Sequence, residues 1–201
     1  MPTSDVVFTP TVKAIQERMG SRPAYARREE AGAWPSAITP ELAAFVAEQT
    51  SVFLATANRD GQPYIQHRGG PPGFLRVLDA HRLGFADFAG NRQYVTVGNL
   101  ADNPRAALLL IDYVHRRRVK IWGRAQIVEG DPALVATLMP EGYRARPERA
   151  LLFDIETFDF NCPQHIPQRF EAEDVARAIA QRDQRIDALE RELAELKARL
   201  D

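Results

Sequence analysis

The sequence predicts a mainly β (α+β) fold, with six or so antiparallel strands forming a barrel, flanking helices and a C-terminal heptad helix. Three observations predict it. Between residues 51 and 160, short runs of β-forming residues follow one another with few helical stretches between them. Such an order favours an antiparallel barrel over alternating βαβ units. Two of these runs flank Asn58-Arg59-Asp60-Gly61, where Asp-Gly is a strong hairpin signal. After Glu171 the apolar pattern changes to a strict period of seven. The chain therefore divides into an N-terminal helix and loop (1–38), a barrel domain (39–170) and a terminal amphipathic helix (171–201).

Residues 10–20 read as a short helix ended by Gly20 and Pro23, and 21–38 as a charged surface loop. Thr39 is the next N-cap, with Pro40 at the first helical position and Glu41 at the positive end of the dipole. Leu42, Phe45 and Val46 supply one apolar face. The strands expected are SVFLATA, QPYIQHR, FLRVLD, LGFADF, AALLLIDY, RRVKIWGRAQIVE and LLFDIETFDF. Gly123 inside a long strand suggests a bulge or a close backbone approach. Helices are expected over 91–103, with Asn91 as cap, and over 131–139, opened by Asp131-Pro132. In the terminal helix Ile179, Ile186, Leu193 and Leu200 fall seven apart, and Val175, Arg182, Leu189 and Leu196 take the alternating position. Either a coiled coil between two chains or a helix lying on its own barrel satisfies that pattern.

Lys and Arg number 26 and Asp and Glu 27, for a net charge of −1, so the basic excess of a general nucleic-acid binder is missing. Cys162 is the only cysteine, which rules out an intrachain disulfide. The longest apolar run, Ala106 to Ile111, is far short of the roughly 20 residues of a membrane helix. The first ten residues lack the basic and apolar regions of a secretory signal, and a cytoplasmic location is expected.

Four stretches carry candidate chemistry. Gln66-His67-Arg68-Gly69-Gly70-Pro71-Pro72-Gly73 ends a strand with a guanidinium and two glycines, which suits a phosphate or else makes a stiff surface turn. Gly90-Asn91-Arg92-Gln93-Tyr94 lies at an expected helix start, an anion site or a plain cap. In Arg116-Arg117-Arg118-Val119-Lys120-Ile121-Trp122, a basic stripe of Arg116, Arg118 and Lys120 shares one strand face. It is either near a ligand or solvated. Asn161-Cys162-Pro163-Gln164-His165-Ile166-Pro167 has too few Cys and His for structural zinc and the wrong spacing for a thiol protease. Its prolines suit a rigid polar rim along a planar ring. No metal site is expected.

Together these segments resemble the pyridoxamine 5′-phosphate oxidase-like family of FMN-binding split barrels, in particular its bacterial oxidase-related flavoproteins. The resemblance covers roughly residues 40–170. It implies a homodimer with FMN between two subunits and flavin-dependent oxidoreductase chemistry on a small molecule, with NAD(P)H a candidate electron donor and neither nucleic acid nor membrane as partner. It also implies flavin or phosphate contacts from Gln66, His67, Arg68 and Gly69, and from Ala86, Asp87 and Phe88 beside the ring. Asn91, Arg92 and Gln93 match the family's Ser-Arg-Lys clamp, and Arg118 a flavin-contacting Gln. Cys162, Gln164 and His165 fall at the flavin rim. Gln93 replaces the clamp lysine, the Gly-Pro loop replaces a second basic residue, and the His-and-Arg pair that holds pyridoxamine phosphate has no counterpart. Alternative readings are a non-catalytic flavin-binding or stress protein, and a barrel relative that binds F420 or haem.

Overall fold

The computed structural model describes residues 3–161 and 164–199. The chain forms two units, one of Met1–Asp112 with Arg117–Pro163 and one of Tyr113–Arg116 with Gln164–Asp201. In the first unit a short 3-10 turn, Thr3–Val6, precedes α1 (Pro10–Arg18), α2 (Arg22–Glu30) and α3 (Pro40–Ala47). Strands β1 (Ser51–Ala57), β2 (Pro63–Gly69), β3 (Arg76–Val77) and β4 (Arg82–Phe88) follow, then α4 (Val95–Asp102). Strands β5 (Arg105–Asp112) and β6 (Arg117–Val128), helix α5 (Pro132–Leu138) and strand β7 (Pro147–Asn161) complete it. The second unit carries α6, Ala172–Ala198.

All strands join one seven-stranded sheet in the order β2-β1-β5-β6-β7-β4-β3, with every neighbouring pair antiparallel. The seventh strand is only Arg76–Val77, because Phe74 and Leu75 of the expected strand are buried in the core instead of extending the ladder. The sheet ends are not hydrogen-bonded to each other, as in an open, split barrel.

Strict alternation sets the core. In β1, Val52, Leu54 and Thr56 are buried and their neighbours are not. One cluster joins the first two of them to Leu108 and Leu110 of β5, Val119 and Ile121 of β6, Phe85 of β4 and Phe153 of β7. Leu42, Phe45 and Val46 of α3 fill the same interior. Each such side chain contributes about 1.5–3 kcal/mol by leaving water. Thr39 caps α3 as the sequence predicts, its hydroxyl oxygen accepting from the Leu42 amide at 3.2 Å. Asp131 does the same for α5 at 2.9 Å.

The hairpin after β1 is built by Asn58, whose side-chain oxygen accepts from the amides of Asp60 (3.0 Å) and Gln62 (2.9 Å), while Gly61 takes a left-handed φ of 86°. The expected loop 21–38 instead contains α2. Pro23 sits in its first turn, where no amide donor is needed, so it starts this helix as well as stopping the last. The helix has no buried residue and hence no apolar period to betray it. Ion pairing of Arg22 with Glu29 and stacking of the Arg28 guanidinium 4.8 Å over the buried Trp34 ring hold it. Phe8 packs edge-on to Trp34 at 4.9 Å.

In the second unit the Arg169 guanidinium lies 4.6 Å over Tyr113, and Gln168 donates to the Val114 carbonyl at 2.9 Å. The apolar heptad residues of α6 are all exposed; Leu200 lies outside the described residues. Among the described residues, no helix is long and apolar enough to cross a membrane.

Gly123 is a close approach, as its place in the strand suggests. The β6–β7 register shifts between Trp122 and Gly123, and a Cβ there would stand 2.0 Å from the Asp154 carbonyl oxygen. Gly123→Ala therefore forces two paired strands apart, and we expect it to cost about 3 kcal/mol in a urea titration. An unchanged midpoint would show that the bulge accommodates a side chain.

Candidate functional site

β2 and β4 stand first and sixth in the sheet, yet the sheet curls until they face each other across the open seam. There the Arg68 Nε of β2 lies 2.9 Å from Asp87 Oδ1 of β4. Over this seam opens a cavity of about 310 Å³, walled by β2, β4, the loop 90–94, the start of α4 and the start of β7. Tyr64, Gln66 and Arg68 alternate onto the sheltered face of β2, and the Tyr64 hydroxyl donates to Gln66 Oε1. Exposed His67 also borders the cavity, with its Nε2 2.8 Å from the Ser51 hydroxyl.

Asp87 is the hub of the charges. Its other oxygen lies 3.6 Å from Nε of Arg149, the residue paired with it across β4 and β7. Arg149 is buried and reaches Glu129 and Glu148, each at 2.8 Å, and its guanidinium lies 5.2 Å over the Tyr94 ring. Burial pushes the Asp87 carboxyl up, and that outweighs the pull of Arg68 and Arg149 in the other direction. For Arg149, burial lowers the pKa, but the Glu148 hydrogen bond and the Asp87 and Glu129 charges outweigh it and raise it. The hydrogen bond from Arg149 holds Glu148 below the usual carboxylate range.

The loop before α4 departs from the sequence reading. The expected helix over 91–103 begins only at Val95, because Asn91 turns its side chain to the Gln93 amide (3.2 Å) and closes a local turn instead of capping a helix. Arg92 and Tyr94 take left-handed φ values of 59° and 54°. Two non-glycine residues in that region within three positions concentrate backbone strain on the rim of the cavity. That conformation turns the chain so that Val95, Thr96 and Val97, at the positive end of α4, face the cavity together with Arg92.

The cavity thus gathers Gln66, His67, Arg68, Gly69, Asp87, Phe88, Asn91, Arg92 and Gln93, nine of the residues singled out in the sequence. Ala86 points the other way, into a second apolar cluster with Leu138, Ala150 and Leu152. Gly70, expected to leave room for a ligand, leaves room for Phe74: a Cβ there would stand 2.6 Å from the Phe74 Cβ. Arg118 pairs with Asn161 at the far end of β6, ten residues or roughly 33 Å along the strand from the end beside Arg149. Of its stripe, Arg116 sits in a turn with φ 54°, and Lys120 stacks on Trp122 at 5.7 Å. Gln164 and His165 are exposed in the second unit; Cys162 lies outside the described residues. Sequence reasoning does not single out Arg149, Glu148 or Thr96. A lone Arg just ahead of an apolar run carries no local signal, and only the β4–β7 register brings it to Asp87.

The pyridoxamine 5′-phosphate oxidase family model matches residues 38–162. Among solved structures, HupZ of Group A Streptococcus is 20% identical, with a TM-score of 0.51 over 66% of this chain and 99% of that one. A variant of the same streptococcal protein carrying one substitution gives 20% and 0.50 over 62% and 99%. A putative pyridoxamine 5′-phosphate oxidase from Lactobacillus delbrueckii is 23% identical, with a TM-score of 0.46 over 61% and 93%. The HupZ likeness is one of fold. No curated protein matches the sequence.

The raised pKa of Asp87 has a stability consequence. Between its unfolded and its higher folded value the native state binds the extra proton, so this contribution is full in acid and is lost as pH rises through the folded pKa. Asp87→Asn removes it. Urea unfolding at a series of pH values should show the variant gaining on the parent as pH climbs out of the acid range. A gap that stays flat or moves the other way would mean the two guanidiniums outweigh burial.

Proposed function

The chain belongs to the pyridoxamine 5′-phosphate oxidase family, and from that premise we propose that it binds FMN through this cavity and serves as a flavin-dependent oxidoreductase on a small molecule. One observation carries the reading. Arg68, Arg92 and Arg149 line one cavity together with Asp87, Glu148 and the positive end of α4; Arg149 and Arg68 are paired with Asp87, Glu148 and Glu129, while no carboxylate among the described residues pairs with Arg92. A phosphate dianion suits an unpaired guanidinium beside a helix's positive end, and Arg presents the planar fork that matches two of its oxygens.

The dimensions fit part of the cofactor. About 310 Å³ is at the small end of ligand pockets, of a size for phosphate and polyol, with the ring reaching the mouth. In this proposal Arg68, Arg92 and Arg149 hold the phosphate, and Gln66 and His67 border the polyol and ring. Arg118 and the 161–166 loop serve the ring only from the second chain of a homodimer, since Arg118 is distant from its own cavity. Flavin, when bound, supplies hydride and electron transfer; the protein binds, orients and tunes it.

Purified protein should show the two-band absorption of flavin. A Soret band would replace FMN by haem, a deazaflavin spectrum would replace it by F420, and either would overturn the assignment. Arg149→Ala and Arg92→Ala should each weaken FMN binding roughly 10- to 100-fold, as expected for loss of a charge-assisted hydrogen bond of about 1.5–3 kcal/mol. Full occupancy in both would place the phosphate elsewhere. Catalytic oxidation of NAD(P)H over many turnovers is expected of an enzyme; a single stoichiometric reduction would indicate a flavin carrier.

A further inference from the structure

Helix α6 runs 27 residues, about 40 Å, and its apolar side chains form one stripe open to solvent: Val175, Ile179, Ile186, Leu189, Leu193 and Leu196 are each 44–55% exposed. Ile179, Ile186 and Leu193 occupy the first core position of a heptad, and Val175, Arg182, Leu189 and Leu196 the second. We infer that this stripe docks on the same stripe of a second copy of the chain as a parallel, in-register, two-stranded coiled coil. β-branched residues at the first position with leucine at the second favour two parallel strands, a preference that Ile179 and Ile186 with Leu189 and Leu196 meet and that Leu193 and Val175 do not.

The flanking charges choose the orientation. In a parallel pair, each flanking residue before a first-position residue meets the partner residue five places on. Arg185 then faces Glu190 and Glu192 faces Lys197, each pair twice by symmetry, and no like charges meet on the flanks. An antiparallel pair that sets Ile186 against Leu189 would join Arg185 to Glu192 but press Asp183 against Glu190, so attraction and repulsion cancel. Arg182 is the one polar core position. Its stem covers the seam while the guanidinium reaches water, and as a single interruption it fixes register at a cost in stability.

Cysteine cross-linking in the full chain tests this, with Cys162, the single native cysteine, replaced by Ser. A parallel coil sets residue 193 beside its own copy, within the about 4.4–6.8 Å Cα separation that a disulfide spans. The antiparallel register would hold the two copies of residue 193 roughly 16 Å apart, eleven residues along the axis. Leu193→Cys chains should therefore cross-link to one another nearly completely under mild oxidation. E190R, which sets Arg185 against an arginine, should slow this severalfold, and R185E/E190R should restore it. No cross-link at 193, cross-linking only in mixtures of Leu193→Cys with Arg182→Cys chains, or acceleration by E190R would each overturn the proposal. All these positions are exposed, so the substitutions leave the barrel unchanged.

Discussion

The structure turns on one buried carboxylate. Asp87 meets Arg68 across the open seam of the sheet and Arg149 along its paired strand. No ladder of backbone hydrogen bonds joins β2 to β4. The ion pair spans that seam at 2.9 Å, and both of its residues line the cavity above. Burying that carboxylate is costly, as its raised pKa records, and the two guanidiniums only partly offset the cost. An element retained at such an expense is better understood as setting the geometry of a site than as a source of stability.

Around that pair, backbone and side chains converge on the same electrostatic result. Strand alternation puts Tyr64, Gln66 and Arg68 on one sheltered face, and two left-handed residues bend the 90–94 loop so that α4 begins with its positive end at the cavity. Arg149 is held by Glu129, Glu148 and Asp87 at once and stacked on Tyr94, so its guanidinium is fixed in place in advance of any ligand. Preorganisation of this kind raises affinity without adding contacts.

Much of this was legible in the sequence where the signal is local. The Thr39 and Asp131 caps, the Asn58–Gly61 turn and the tight fit at Gly123 follow from residue chemistry within a few positions, and the structure has all of them. Failures occurred where one local sign serves two structures or where there is no sign to read. Asn91 reads as a helix cap but closes a turn, Gly70 reads as space for a ligand but is space for Phe74, and α2 has no apolar face from which to read it. Arg149 is the instructive case: its role arises from a register pairing with a residue sixty-two positions earlier, which no short motif encodes.

The central claim is that this cavity recognises a phosphate dianion, and comparison of FMN with riboflavin isolates it, since the two share a ring and polyol and differ only in that group. Fluorescence titration of the flavin-free protein should give FMN at least about a hundredfold the affinity of riboflavin, a difference of roughly 2.7 kcal/mol, shrinking as salt is added. Equal affinities for the two would show that the guanidiniums beside Asp87 serve the barrel alone.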